Sequence, residues 1–135
     1  TMRVRVNEIQ GIQSQTAAKL KSMGIVHSDH LLAAAGQPKE RQMLATKLGV
    51  DARYLLELTN RADLSRIKGV GKVYADVLET AGVDSVIELA TRRAENLYIK
   101  VAEIAVHQGI RRIPKIDEVR DWIEQAKQLD RKVYH

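Results

Sequence analysis

"IKGVGKVYADVLETAGV", Ile67 to Val83, sets two glycines around one apolar residue, follows them with a lysine, and ends an amphipathic run on a third glycine. That order predicts two helices joined by a tight reversal. Ile67 ends the incoming helix in the core, and Val70 plugs the interior between the helices. Gly69 and Gly71 supply backbone angles closed to other residues. The outgoing helix starts at Lys72, which leaves its first-turn N–H groups without partners inside the helix. Together with the positive end of the helix dipole, those donors form an anion site, and Lys68 and Lys72 add charge on either side. A plain connector is the competing reading, because water also satisfies exposed N–H groups.

Sliding the chain by 58 positions lays "IQGIQSQTAAKLKSMGI" over the same stretch. Ile9 meets Ile67, Gly11 meets Gly69, Ile12 meets Val70, Leu20 meets Leu78 and Gly24 meets Gly82. Glycine, small and large apolar residues each fall on their own kind, which predicts an internal repeat. The first hairpin, Gly11-Ile12-Gln13, departs at one place. Gln13 stands where the second glycine is expected, so either its turn is strained or its geometry differs. Its lysines, Lys19 and Lys21, lie along the helix instead of at its mouth.

The remaining periodicity is almost wholly helical. Helices are expected over Ser14–Ser22, from an N-cap at Ser28 to near Gly36, from Pro38 to Gly49 and from Ala52 to Arg61 under an Asp51 cap. Met43, Leu44 and Leu48 form the apolar stripe of the third. Asp63, Gly82, Asp84 and Gly109 punctuate the second half, with Asp84 as the N-cap after the hairpin. A helix over Ala94–His107 buries Leu97, Val101 and Ile104, and a last one after Pro114 buries Val119, Trp122, Ile123 and Ala126. "RVRV" (Arg3 to Val6) alternates as an extended segment does, and "KVYH" at the end is expected beside it as a two-stranded ribbon. The fold class is all-α. One domain spans 1–135, with repeats at 7–62 and 63–130.

Composition narrows the function. At 135 residues with no cysteine, the chain offers neither a disulfide framework nor a thiolate metal site. No long apolar run or signal-peptide pattern occurs, so a cytoplasmic protein with no membrane partner is expected. The net charge is +5, and the excess sits in the first 62 residues. Aromatic residues are few, which disfavours a single-strand binder built on stacking platforms. "GVGK" is not a phosphate-binding nucleotide loop, since Arg66 stands where that loop needs glycine and Val73 where it needs Ser or Thr. His27 and His30 lack a third metal ligand and read as capping or solvent-exposed residues. No nucleophile, base and orienting acid can be assembled, so neither enzyme nor cofactor is expected.

"IKGVGKVYADVLETAGV" resembles the helix-hairpin-helix pattern of DNA-binding and DNA-repair proteins. From about Val4 to Leu129 the chain resembles a bacterial family known as domain-of-unknown-function 4332, through "RADLSRIKGVGKVYADVLETAGV", "SVIELA" and "VRDWIEQAK". The resemblance implies a compact pair of such motifs gripping the backbone of duplex DNA across the minor groove. Carried over, it puts the amides of Gly69, Val70 and Gly71, with Lys72, at phosphates. Lys68 and the weaker Gly11, Ile12 and Gln13 complete the expected footprint, and Arg111 and Arg112 widen it if they share the face. Related enzymes excise damaged bases with a lysine and an aspartate after the hairpin, but Asp84 is expected as a cap. The rival expectation is a protein-interaction module, motivated by Gln13 and by Asp76, Glu79, Asp84 and Glu88 near the second hairpin.

Overall fold

A computed structural model describes residues 3–135. Its helices are α1 (Ser14–Ser22), α2 (Ser28–Ala35), α3 (Pro38–Leu48), α4 (Ala52–Leu64), α5 (Lys72–Thr80), α6 (Val86–Ala90), α7 (Ala94–His107) and α8 (Ile116–Gln128), preceded by a 3₁₀ turn at Val6–Glu8. No strand forms among the described residues, and the protein is all-α. Each helix is too short to persist alone in water, so packing of its apolar face stabilises it.

The apolar side chains gather into two clusters. Val6, Leu20, Leu31, Leu48, Leu55 and Leu58 lead the first, and Leu64, Ile67, Leu78, Leu89, Leu97 and Trp122 lead the second. In the first, α2 packs on α4 and α3; in the second, α8 carries α6 and α7. The 62/63 division does not break the chain. It falls inside α4, whose Ala62 joins the first cluster and whose Leu64 joins the second.

Residues 58 apart share local geometry. α1 and α5 both end on a left-handed glycine, Gly24 at φ +81° and Gly82 at φ +93°. The following amides, Ile25 and Val83, donate back to Leu20 and Leu78 at 2.9 and 2.8 Å, which occupies the last carbonyls and turns an apolar residue inward.

Several expectations need correction. The N-terminal segment pairs not with the C-terminus but with the loop before α2. Val6 N–H donates to the Val26 carbonyl at 2.8 Å and Ser28 N–H to that of Val4 at 2.7 Å, around a single Arg5–His27 bridge. Ser28 is the first residue of α2, and its hydroxyl accepts the Val4 amide. The His30 Nδ1 accepts the His27 amide at 3.3 Å. Met43 is exposed, and Ala45 packs inward in its place. Ile104 is only half-buried, with Ala105 fully inside. Asp63 does not punctuate: α4 runs through it, and its buried carboxylate accepts from Arg66 at 2.7 Å and from the Val86 amide at 2.8 Å. Ser85, not Asp84, caps α6, by accepting the Glu88 amide.

Burial pushes the Asp63 carboxyl above the usual aspartate range, and the Val86 amide and Arg66 only partly offset this. A raised carboxyl pKa contributes stability that is fully present below about pH 4, the ordinary aspartate value, and lost as pH rises through the folded-state pKa.

The C-terminal tail doubles back from the second cluster to the first. Val133 is buried there, which stabilises its docking by about 1.5–3 kcal/mol. Tyr134 N–H donates to the Gly36 carbonyl at 2.9 Å, and the buried Arg41 guanidinium donates to the carbonyls of Ala35, Gly36 and Tyr134. A Cβ on Gly36 would collide with the Lys132 carbonyl oxygen of the tail and, at 2.7 Å, crowd that of Leu32 in its own helix, a contact that stays when the tail is removed. Gly36→Ala is therefore expected to destabilise the chain by about 1–3 kcal/mol, and by clearly less in a chain ending at Arg131. Urea melts of the four proteins check this; equal losses with and without the tail would contradict its seating.

Candidate nucleic-acid interface

The second hairpin is fixed from beneath and from one side. Ile67 and Val70 are buried at 0% and 3% exposure, and Gly69 lies between them at φ +97°. A Cβ on Gly69 would stand 3.0 Å from the Trp122 indole nitrogen, so the positive φ disfavours a side chain here and the ring crowds it. Gly71 differs from expectation. Its backbone is extended, at φ −86° and ψ −170°, with open space where a Cβ would go. The fold does not require glycine at position 71; its effect is to leave the mouth of α5 bare.

The amides divide into two groups. Lys68 N–H donates to the Gln125 side chain at 2.8 Å, and the Gln125 NH₂ donates back to the Lys68 carbonyl at 2.9 Å. Val70 N–H donates to the Ile67 carbonyl at 3.0 Å, so it is not a free outward donor as expected. The amides of Gly69, Gly71, Lys72 and Val73 have no acceptor among the described residues, and all four residues are exposed. Lys68 and Lys72 are exposed beside them, with no ion pair among the described residues. An anion meeting this corner would find three or four donors, a helix N-terminus and two flexible cations.

The first hairpin keeps the turn but loses part of the opening. Gly11 has φ +85°, and Ile12 N–H donates to the Ile9 carbonyl as Val70 does to Ile67. Gln13 is extended, at φ −78° and ψ 143°, so it strains nothing. Its amide, however, donates to the Tyr54 hydroxyl at 2.8 Å, and that hydroxyl reaches the Gly11 carbonyl at 3.4 Å. The Arg61 guanidinium donates to the Gln10 carbonyl, fills the space where a Gly11 Cβ would go, and pairs with Glu79 at 2.9 Å. Lys19 is spent on the Leu48 carbonyl at 3.0 Å. A tyrosine thus takes one amide of this mouth and an arginine crowds its glycine, while the amides of Gly11, Ser14 and Gln15 have no acceptor among the described residues.

Charge around the open hairpin is mixed. A depression of about 610 Å³ beside Lys68 and Gly69 is lined by Asp117, Glu118, Asp121, Trp122 and Gln125. Arg112 reaches this region, donating to Glu118 at 2.7 Å and to the Tyr74 hydroxyl at 3.4 Å. Arg120 pairs with Asp117 at 2.9 Å. The Arg112 hydrogen bond, then the Lys115 amide, hold the Glu118 carboxyl below the usual glutamate range. The stability tied to that depressed pKa is present above the ordinary glutamate value and lost as pH falls through the folded one. Arg112 thus reaches α5 as a neutralised cation. Arg111 is exposed, and no contact among the described residues brings it to the hairpin.

Tyr54, Arg61 and Gln125 shape the two hairpins without belonging to either motif. Tyr54 packs its ring against the first cluster, but its hydroxyl acts 41 residues away. Gln125 carried a usable signal: a polar residue one turn beyond Trp122, half-buried, on the face that meets the hairpin.

Amide hydrogen exchange reads these assignments directly. Tyr54→Phe is expected to speed exchange at Gln13 at least tenfold, and Gln125→Ala to do the same at Lys68, with Gly71 fast in every variant. Unchanged exchange at Gln13 or Lys68 would remove the hydrogen bonds described here.

A protein-family model described as Domain of unknown function (DUF4332) matches residues 10–129. No curated protein and no solved structure gives a significant match. The matched region contains both glycine hairpins and α8 with its Gln125 clamp, and the chain belongs to the DUF4332 family.

Proposed function

We propose that the chain is a non-enzymatic nucleic-acid-binding module that holds backbone phosphates of duplex DNA at the second of two tandem helix-hairpin-helix turns. The carrying observation is the run of unpartnered amides at Gly69, Gly71 and Lys72, flanked by Lys68 and Lys72. Phosphate contacts of this kind carry no base information, so binding is expected to be sequence-independent and steeply salt-dependent. The footprint is one-sided. Gly11, Ile12 and Gln13 contribute little while Tyr54 holds the Gln13 amide. Asp121, which has no cation partner among the described residues, repels a duplex lying along α8 and favours contact at the hairpin tip. Among the described residues no helix is long and apolar enough to cross a membrane, and a nucleic-acid partner fits the expected bacterial cytoplasm.

The same carboxylates favour a second reading, in which the hairpin docks a protein. The two separate by salt: a phosphate contact weakens steeply as salt rises, whereas an apolar protein interface survives it.

Fluorescence anisotropy with a labelled duplex tests the proposal. At low salt the wild type is expected to bind in the range of about 10⁻⁴–10⁻⁶ M typical of non-specific contacts. Lys68→Glu/Lys72→Glu is expected to weaken binding at least tenfold and to flatten the log–log salt slope by about 2. Equal binding by both proteins, or none by either, would end this reading, and one stoichiometric protein retained from lysate in high salt would favour the second.

A further inference from the structure

A groove of about 530 Å³ lies on the first half of the molecule, between α1 and the paired segments around Val6 and Val26. Its volume falls in the range of small-molecule sites. Ile12, Ala17 and Ala18 line one wall, and Val6 and Val26 the other. The alanines are the reason the space exists, because larger residues on that stripe of α1 would fill it. Arg5, Lys21 and His27 also line the groove, and no carboxylate does. Neither Arg5 nor Lys21 has a side-chain partner among the described residues. The nearby acids are engaged elsewhere: Asp29 pairs with Arg3 at 3.7 Å, and the Glu8 carboxylate accepts the Arg5 backbone amide at 3.2 Å. Ser14 and Asn7 add hydrogen-bonding groups.

This charge pattern is the reverse of that at the depression beside the second hairpin, where three carboxylates sit around Trp122. Apolar walls demand an apolar body, and two unpaired cations at the edge demand an anionic head. We propose that the groove binds a small amphipathic carboxylate, its chain against Ile12, Ala17 and Val26 and its head between Lys21 and Arg5. This site is separate from the hairpin proposed for phosphate and stands whether or not that one binds DNA.

The test is titration of the ¹⁵N-labelled full chain with hexanoate, octanoate and decanoate below their micelle concentrations, with decanol as the neutral control. Saturable shifts are expected at the amides of Ile12, Ala17, Ala18 and Lys21, with affinity rising roughly threefold to fourfold per methylene. Lys21→Glu is expected to weaken decanoate at least tenfold, and Ala18→Phe, at an exposed position that the fold tolerates, to abolish the shifts. Absence of saturable shifts, decanol binding as tightly as decanoate, or shifts that persist in Ala18→Phe would overturn the proposal. So would a short oligonucleotide moving the same amides at lower concentration than decanoate, which would assign the groove to nucleic acid instead.

Discussion

One backbone contact governs the second half of the molecule: Gly69, in a left-handed conformation, pressed against the Trp122 indole. A side chain there meets both a strained φ, worth about 1–2 kcal/mol, and a close contact with the indole. With Gly69 seated, Ile67 and Val70 both turn into the core, and the chain enters α5 with its first amides facing water. Gln125 holds the preceding residue, Lys68, at both its N–H and its C=O. Tyr74 also packs on the indole, with ring centroids 5.5 Å apart and the rings tilted by 42°. The exposed donors of α5 therefore depend on α8, a helix some fifty residues further along the chain.

The first half repeats the turn and covers it differently. No tryptophan backs Gly11; Arg61 reaches over it from α4 and pairs with Glu79 of α5. That bridge links the halves at the hairpin end, while the tail links them at the other, through Val133 and the carbonyls held by Arg41. Within the second half, Arg66 anchors the start of that tail, donating to the Asp130 carbonyl at 2.8 Å while pairing with buried Asp63. Two small cores, each marginal by itself, are stabilised by polar contacts across their seam. The cost is the first hairpin's amide, which is used inside the protein.

Most of the helical order was legible because it rests on local chemistry. Periodic leucines, Pro38, the Asp51 cap and the glycines at 24, 49, 82 and 109 act within a few residues of themselves. The features that decide the site act across 18 to 93 residues. Tyr54 on Gln13, Gln125 on Lys68, Arg61 on Glu79 and Arg41 on Tyr134 leave no periodic trace. Asp63 looked like a helix stop because aspartate usually is one, but burial beside Arg66 lets it continue α4 and serve α6 instead. The terminal ribbon was misplaced for a related reason: alternation indicates that Arg3 to Val6 is extended without indicating its partner. The same limit applied to charge. Counting lysines and arginines found the basic excess, yet Arg112 and Arg92 are neutralised by Glu118 and Glu88.

The two turns are alike in backbone and unequal in what flanks them: two lysines beside the second, without an ion pair among the described residues, and at the first a Gln13 amide held by Tyr54 and a lysine spent on the Leu48 carbonyl. Mapping backbone amide shifts of the labelled chain against a short DNA duplex measures that inequality residue by residue. The account predicts the largest changes at Gly69, Gly71, Lys72 and Val73, with Gly11, Ile12 and Gln13 nearly still. Equal changes at both turns, or changes confined to the first, would contradict it.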